Sequence, residues 1–126
     1  MPDRKNTLPP RRVLVVDDNK EVAKAAVMML KSLGQNVRQA NDGESALLIA
    51  TTFEPEVVFV DLVMPGMDGL EVGRQLRALN PAKPPKIVAL TAFPQPAFKD
   101  AAEWAGFDEY LVKPPSAEEF ARVLAD

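Results

Sequence analysis

The 126-residue chain contains no cysteine and no histidine. Without cysteine it can form neither a disulfide nor a metal site with thiolate ligands. Without histidine it cannot build a Ser-His or Cys-His catalytic pair, a zinc site that needs imidazole, or a phosphohistidine of its own. These two absences exclude several of the commonest classes of active site.

Long apolar runs and an excess of positive charge are also missing. The longest apolar runs, such as Ala25–Leu30, are far too short to span a bilayer, and the polar, proline-rich start lacks the apolar stretch of a signal peptide. The 15 Lys and Arg residues against 18 Asp and Glu residues give a net charge of −3, which argues against a nucleic-acid-binding surface. We therefore expect a cytoplasmic domain that contacts neither membrane nor nucleic acid directly.

The remaining composition predicts a single folded domain. Hydrophobic residues make up 47% of the chain and charged residues 26%, which is enough apolar material for one core. Residues 1–11 are expected to be a flexible N-terminal segment or the stub of a linker, because Pro9 and Pro10 oppose a helix there. The folded domain is expected over residues 12–126.

Short apolar runs alternate with amphipathic stretches along this domain. Strands are predicted over residues 12–16, 36–40, 56–60, 86–90 and 109–112. Helices are predicted over residues 20–33 and 43–53, capped by Asn19 and Asp42, and from Pro96 to Ala105. Two more are predicted from Asp68 to Leu79 and from Ser116 onward, each opened by a capping-box pattern that has a Glu three residues later. The inward face of the first helix is predicted to carry Val22, Ala26, Met29, Leu30 and Leu33. Five strands alternating with five helices predict a parallel sheet with helices on both faces.

Polar residues close or follow four of these strands. Ligands of open α/β sheets bind beyond the carboxyl ends of the strands, so these residues should meet at one rim. They are Asp17, Asp18, Asp61, Thr91 and Lys113. Three carboxylates at one edge repel each other, and a hard cation such as Mg²⁺ relieves that repulsion. The competing interpretation of the Asp17–Asp18 pair is a turn with a helix cap.

Asp61 is the most informative of the five residues. It follows Val57-Val-Phe-Val, a run typical of a strand buried on both faces, where a carboxylate is costly unless it is paired or metal-bound. A carboxylate can attack phosphorus to give an acyl phosphate, and Lys113 and the Thr91 hydroxyl can then bind phosphoryl oxygens. Taken singly, Lys113 is equally explained as a solvated lysine and Thr91 as a strand-end cap.

The ordered set of motifs resembles a response-regulator receiver domain of two-component signalling. The matching pieces are Val13-Leu-Val-Val-Asp-Asp-Asn, Val60-Asp-Leu-Val-Met-Pro-Gly-Met-Asp-Gly, Ala89-Leu-Thr-Ala and Tyr110-Leu-Val-Lys-Pro. The resemblance runs from about Arg12 to about Leu124. It implies a flavodoxin-like (βα)5 doubly wound sandwich whose five-stranded parallel sheet has the order 2-1-3-4-5.

The resemblance also implies a role for each rim residue. Asp61 matches the phosphoacceptor, which takes its phosphoryl group from a phosphohistidine donor. Asp18 matches a direct ligand of Mg²⁺, with Mn²⁺ as the alternative ion, and Asp17 matches a ligand that acts through water. The backbone carbonyl of Val63 completes the implied metal site.

Further implied roles concern the switch itself. Thr91 and Tyr110 match the switch residues, Lys113 the lysine that pairs with phosphate, and the Lys113–Pro114 bond a cis peptide. For Tyr110 an ordinary strand position is the competing interpretation. The implied readout surface is the face formed by the fourth helix, the fifth strand and the fifth helix.

Two positions depart from the usual pattern of the family. Val63 and Phe93 are apolar where the family is often polar, at places that influence how water reaches the acyl phosphate. We therefore hypothesise slow hydrolysis and a long-lived phosphoryl state. The stretch Phe93-Pro94-Gln95-Pro96 is also expected to stiffen the loop before the fourth helix.

The implied function is a phosphoacceptor switch that is itself no enzyme toward outside substrates. Its partners would be a sensor histidine kinase or phosphotransfer domain and an output partner that the sequence does not identify. The domain is expected to be a monomer or a weak phosphorylation-dependent dimer, and its ends resemble those of receivers in hybrid sensor kinases. The alternatives are a receiver-like interaction module without phosphorylation, a Mg²⁺-dependent aspartyl-phosphate phosphatase, and a flavodoxin-like cofactor carrier.

Overall fold

The computed structural model describes residues 8–64, 66, 68–92 and 96–125, with residue 98 described by its backbone alone. The strands are β1 (Arg12–Val16), β2 (Asn36–Ala40), β3 (Val57–Asp61), β4 (Lys86–Thr91) and β5 (Glu109–Val112). The helices are α1 (Lys20–Ser32), α2 (Gly43–Phe53), α3 (Gly69–Leu79), α4 (Pro96–Trp104) and α5 (Ala117–Ala125). The predicted alternation of strands and helices is confirmed.

All strand pairs are parallel, and the strands lie in the order β2-β1-β3-β4-β5. The order confirms the doubly wound topology that the motifs implied. Strands β1 and β3 are neighbours, with Val16 opposite Val60, and β4 flanks β3, with Leu90 opposite Asp61. The register therefore brings the carboxyl ends of these three strands to one edge.

The sheet separates two apolar cores. Helices α1 and α5 cover one face, where Val13, Val15 and Phe59 meet Leu30 and Phe120. The Phe59 and Phe120 rings meet edge to face, with centroids 5.0 Å apart. Helices α2, α3 and α4 cover the other face and form the second core. The strand residues of the second core, which include Leu14, Val16, Val58 and Val60, alternate along the strands with those of the first core. Because side chains alternate along a strand, one run such as Val13–Val16 supplies both cores.

The predicted inward face of α1 is confirmed at Leu30 and Leu33, which are buried, and is wrong at Val22. The helix buries Ala23, Val27 and Leu30, whereas Val22 is exposed. The residues between 22 and 30 are apolar on several sides of the helix, so the sequence period alone did not fix which stripe faces the sheet. The rest of the predicted face lies at the edge of the core or at the end of the helix.

Helix ends follow the capping residues that the sequence indicated. Asn19 Oδ1 accepts the backbone N–H groups of Glu21 and Val22, both at 3.1 Å, at the start of α1. Ser116 and Glu119 form a complete capping box before α5, with bonds of 3.0 and 3.1 Å. Asp68 caps α3 through the N–H of Glu71, but the Glu71 carboxylate turns to Arg74 and Gln75, so only one half of that predicted box forms.

Two strand ends differ slightly from the prediction. Strand β3 includes Asp61 as its last residue, and β4 includes Thr91, so both polar side chains are presented by regular strand backbone. Of the segment 1–11, residues 1–7 lie outside the described part of the chain. Leu8 packs against the core beneath α1 and α5, and the Gln35 side chain bonds to Pro9 O and to the Arg11 N–H. Among the described residues, no helix has the length and apolar character of a membrane span.

Candidate functional site

Three carboxylates meet at the carboxyl edge of β1 and β3. Asp17 directly follows β1, Asp61 ends β3, and each of Asp17, Asp18 and Asp61 offers one carboxylate oxygen within 4.8 Å of the others. Asp17 and Asp61 are buried, whereas Asp18 is exposed. The cluster therefore has two carboxylates fixed in the protein and a third that opens it to solvent.

Lys113 lies between the two buried carboxylates. Its Nζ atom is 3.1 Å from Asp17 Oδ2 and 3.3 Å from Asp61 Oδ2. Its backbone N–H donates to the carbonyl of Thr91 at 2.7 Å. This bond extends the hydrogen-bond ladder between β4 and β5 to the rim. The Lys113–Pro114 peptide is cis, as the sequence motif implied.

Backbone N–H groups hold the other oxygens of the buried carboxylates. Asp17 Oδ1 accepts the N–H of Asn19 at 3.0 Å, and Asp61 Oδ1 accepts the N–H of Val63 at 3.1 Å. Each bond spans two residues along the chain, a local turn that pins the side chain to the loop after it. As a result, both oxygens of Asp17 and both oxygens of Asp61 face an N–H donor.

Burial is the main influence on the protonation of Asp61. Burial, together with the charge of Asp17, raises the pKa of Asp61 from 3.8 to about 6, against the lowering effects of the Val63 N–H and of Lys113. Burial alone would lower the pKa of Lys113, but its hydrogen bond to Asp17 and the charges of Asp17 and Asp61 raise it above the usual value. Lys113 Nζ is therefore the positive group that lies against both Asp17 and Asp61.

This donor set suits a small, hard divalent cation. The available ligands are carboxylate oxygens, they are too few for a full coordination shell, and the exposed side of Asp18 leaves room for water. Such an ion would offset the negative charge that Lys113 leaves uncompensated. The chemistry of the residues fits the Mg²⁺ site expected from the sequence.

The other predicted residues take different places. Thr91 is buried at the end of β4, one residue beyond the partner of Asp61. Val63 lies just past β3 with its side chain 55% exposed. Tyr110 lies within β5, opposite Ala89, where it packs half-buried against the core under α2, α3 and α4, so it does not join the acid cluster. Phe93 and the stretch 93–95 lie outside the described residues.

Two contacts at the rim were not anticipated from the sequence. The Asn41 side-chain amide donates to the backbone carbonyl of Asp17 at 3.0 Å. The α carbon of Gly69 lies so close to β3 that a β carbon there would overlap the Asp61 carbonyl oxygen. Asn41 follows β2 as Asp17 follows β1, so the matching position in the parallel sheet was the available signal for the Asn41 contact. Gly69 ends the motif that begins at Val60, and the motif alone does not indicate how closely Gly69 approaches β3.

A five-stranded parallel sheet of this order, with an acid cluster and a lysine at its carboxyl edge, places the chain in the flavodoxin-like class of α/β domains. The model of the response regulator receiver domain family matches residues 13–125. The chain belongs to this family and is a receiver domain of two-component signalling.

Individual relatives agree with this assignment. The response regulator MprA of Mycolicibacterium vanbaalenii is 41% identical over 117 residues, covering 92% of this chain and 50% of that protein. The chemotaxis protein CheY4 of Vibrio cholerae superposes with a TM-score of 0.83 at 29% identity, covering 92% of this chain and 97% of that chain. A response regulator of Burkholderia pseudomallei, described with a phosphorylated aspartic acid, calcium ion and citrate, has a TM-score of 0.82 at 32% identity. The match covers 90% of this chain and 66% of that chain. The chain thus spans about half the length of the curated relatives it matches.

Proposed function

We propose that this receiver domain is a phosphoacceptor switch in which Asp61 takes a phosphoryl group from a phosphohistidine donor in a Mg²⁺-dependent reaction. The observation that carries the proposal is the position of Asp61, a buried carboxylate at the end of β3, 3.3 Å from Lys113 Nζ and inside a cluster of three acids. The description of the Burkholderia pseudomallei relative with a phosphorylated aspartic acid supports the same chemistry.

The metal would be held by Asp18 and Asp61, with the backbone carbonyl of Val63 and with Asp17 acting through water. The hydrogen bonds of the two neighbouring acids support this division between Asp17 and Asp18. Both oxygens of Asp17 already accept an N–H, from Asn19 and Lys113, whereas Asp18 is exposed to solvent. When bound there, Mg²⁺ or Mn²⁺ would supply positive charge that offsets the negative charge of a phosphoryl group.

The protein residues then have separate tasks. The Asp61 carboxylate forms the new O–P bond as the N–P bond of the donor phosphohistidine breaks and the imidazole leaves. Lys113 neutralises a phosphoryl oxygen as a point charge, and the Thr91 hydroxyl binds another. The raised pKa of Asp61, about 6, still leaves the carboxylate ionised at neutral pH, which a nucleophile requires.

The switch would be read out on the face formed by α4, β5 and α5, with Thr91 and Tyr110 as the relay. Thr91 and Lys113 belong to paired strands and are joined by the 2.7 Å bond between their backbones, so a shift at the rim reaches β5 directly. The face also exposes apolar side chains, with Trp104 on α4 91% accessible and Val112 on β5 exposed as well. Exposed apolar groups of this kind are typical of surfaces that meet a partner.

The partners follow from the same chemistry. Since the chain has no histidine, its phosphoryl donor is a sensor histidine kinase, a phosphotransfer domain or a small phosphodonor. The domain acts in the cytoplasm, over residues 12–126, as a monomer or a weak dimer that phosphorylation favours. The readout surface binds an output partner, and the domain catalyses only its own phosphorylation and dephosphorylation.

The test is incubation of the protein with acetyl phosphate, with and without Mg²⁺, followed by intact-mass measurement. The wild type should gain one phosphoryl group only with Mg²⁺, and Asp61→Asn should gain none. Asp68→Asn is the matched control, because it removes a carboxylate of the adjoining loop that caps α3. No modification of the wild type, or equal modification of wild type and Asp61→Asn, would refute the proposal.

A further inference from the structure

The hydrogen-bond ladder between β1 and β2 ends in an unusual way. The strands pair in parallel with Val16 opposite Ala40, and the ladder continues for one more bond, from the Asp17 N–H to the Ala40 carbonyl at 3.1 Å. In a regular parallel ladder the carbonyl of Asp17 would next accept the backbone N–H of residue 42. Residue 42 is instead the N-cap of α2, where the chain leaves the strand.

The side chain of Asn41 replaces the missing backbone donor. Its Nδ2 atom donates to the Asp17 carbonyl at 3.0 Å, and the bond is partly buried. The backbone of β2 can therefore turn into α2 while the ladder keeps its last bond. A side chain without an amide donor at position 41 would leave that carbonyl without this partner.

The carbonyl of Asp17 belongs to the peptide group that leads into Asp18. A peptide group is planar, so fixing the Asp17 N–H on Ala40 and the Asp17 carbonyl on Asn41 fixes the direction in which the chain reaches the α carbon of Asp18. Asp18 is exposed, so packing against neighbours cannot set this direction as it does for buried Asp61.

We propose that Asn41 is a positioning residue for the acid pair: its amide orients the Asp17–Asp18 peptide and so holds the Asp18 carboxylate in the cluster that binds the divalent cation. The inference rests on the proposed function, since it takes the three carboxylates as a Mg²⁺ site. It adds Asn41, which lies in the loop between β2 and α2, to a site whose other residues lie at the ends of β1, β3 and β5.

The chain offers a closely matched control two positions earlier, on the strand that leads into Asn41. The amide of Gln39 also reaches a backbone carbonyl of the region after β1, that of Lys20, at 3.4 Å. Gln39→Ala therefore removes a comparable side-chain amide bond without touching the peptide between Asp17 and Asp18. Asn41→Leu keeps a side chain of similar size that cannot donate, in case Asn41→Ala folds poorly.

The experiment is a calorimetric Mg²⁺ titration of the wild type, Asn41→Ala, Asn41→Leu and Gln39→Ala, with thermal unfolding in EDTA measured alongside. Loss of a residue that orients a metal ligand typically weakens metal binding by about 10–100-fold, and we expect about tenfold for both Asn41 variants, with no change for Gln39→Ala. In both Asn41 variants, labelling by acetyl phosphate should need correspondingly more Mg²⁺ than in the wild type to reach half its maximal rate. The maximal rate, at saturating Mg²⁺, should equal that of the wild type. A purely structural role would lower the unfolding temperature without this shift.

The outcomes separate this inference from the function on which it rests. If the wild type binds Mg²⁺ and both Asn41 variants bind it equally well, the positioning role is refuted and the phosphoacceptor proposal stands. If Gln39→Ala weakens Mg²⁺ binding as much as the Asn41 variants do, the effect belongs to β2 in general and the positioning role is again refuted. If the wild type itself binds no Mg²⁺, both proposals fall.

Discussion

Lys113 Nζ lies 3.3 Å from Asp61 Oδ2, so the ammonium group of the β5 loop is the counter-ion of the carboxylate that β3 buries. The same ammonium group lies 3.1 Å from Asp17, which makes it the positive charge that holds two repelling acids in one place. A divalent cation bound at these acids would share that role. Lysine and metal should therefore act on the stability of the domain in related ways.

We predict that Lys113→Met destabilises the metal-free domain and increases its stabilisation by Mg²⁺. Removing one partner of a buried ion pair costs roughly 3–5 kcal/mol, and the partial exposure of Lys113 should reduce the cost to about 2 kcal/mol. Urea unfolding at neutral pH, in EDTA and in Mg²⁺, measures both effects. Lys24→Met, which changes an exposed lysine of α1, is the control, and a larger Mg²⁺ effect in the wild type than in Lys113→Met would contradict the prediction.

Asp61 should make the metal-free domain less stable as the pH rises. Burial raises its pKa from 3.8 to about 6 in the folded state, so the folded protein holds this proton more tightly than the unfolded chain does. The resulting stabilisation is complete below the unfolded pKa and is lost as pH rises through about 6. It amounts to at most about 3 kcal/mol.

The variant Asp61→Asn isolates this contribution, because the amide does not titrate. Its unfolding free energy in EDTA, relative to the wild type, should increase between about pH 4 and pH 7. Asp42→Asn is an informative control, since the Ser45 hydrogen bonds lower the pKa of Asp42 below 3.8. Its pH dependence should have the opposite sign and should fall below about pH 4, outside the range in which Asp61 acts. A constant difference between Asp61→Asn and the wild type across this range would show that Asp61 has an ordinary pKa.

Gly69→Ala should damage the rim, whereas Gly66→Ala should cause only local backbone strain. The added β carbon at position 69 would overlap the Asp61 carbonyl oxygen and lie 2.7 Å from the Leu62 α carbon, so the backbone carrying the acceptor must shift. At Gly66, a β carbon would have no neighbouring atom within 4 Å. The cost of Gly66→Ala is therefore the roughly 1–2 kcal/mol needed to hold alanine in the left-handed backbone conformation, with φ of +77°. Acetyl phosphate labelling of Asp61 should fall several-fold in Gly69→Ala and stay near wild type in Gly66→Ala; the reverse order would contradict the structure.

Val63→Asn should shorten the lifetime of the phosphoryl group. The Val63 N–H already binds Asp61 Oδ1, and its apolar side chain stands 55% exposed directly beside the acceptor, where a polar group could help a water molecule approach. We expect hydrolysis several-fold faster than in the wild type, measured as phosphate release after removal of the donor. Leu48→Asn, at an exposed position on α2, is the control for the effect of a polar side chain on the surface. Slower loss of the phosphoryl group from Val63→Asn than from the wild type would refute the idea.

The fold and the acid cluster could be predicted from the sequence because their signals are local and strong. The uninterrupted apolar runs Val13–Val16 and Val57–Val60 specify buried strands, and a carboxylate at the end of each is placed by the parallel sheet itself. The caps Asn19 and Ser116 likewise depend only on a few neighbouring residues. Such features require no knowledge of distant packing.

The features that escaped prediction depend on contacts between distant segments. Val22 was wrongly assigned to the inward face of α1 because the apolar residues around it fit more than one helix face. The Asn41 bond exists only because β2 lies beside β1 in a particular register, and the tight position of Gly69 depends on how closely α3 approaches β3. The distances between these residues, which lie far apart in the sequence, cannot be read from the sequence itself.

The division of the interior into two cores has a consequence for how such a domain can diverge. Since one sheet separates the Phe59–Phe120 core from the core under α2, α3 and α4, substitutions in the two cores share few neighbours, and their effects on stability should be close to additive. Substitutions that repack one core can then accumulate while the opposite helix layer and the acid rim keep their geometry. The central sheet therefore limits how far a change in one core disturbs the other core and the site at the strand ends.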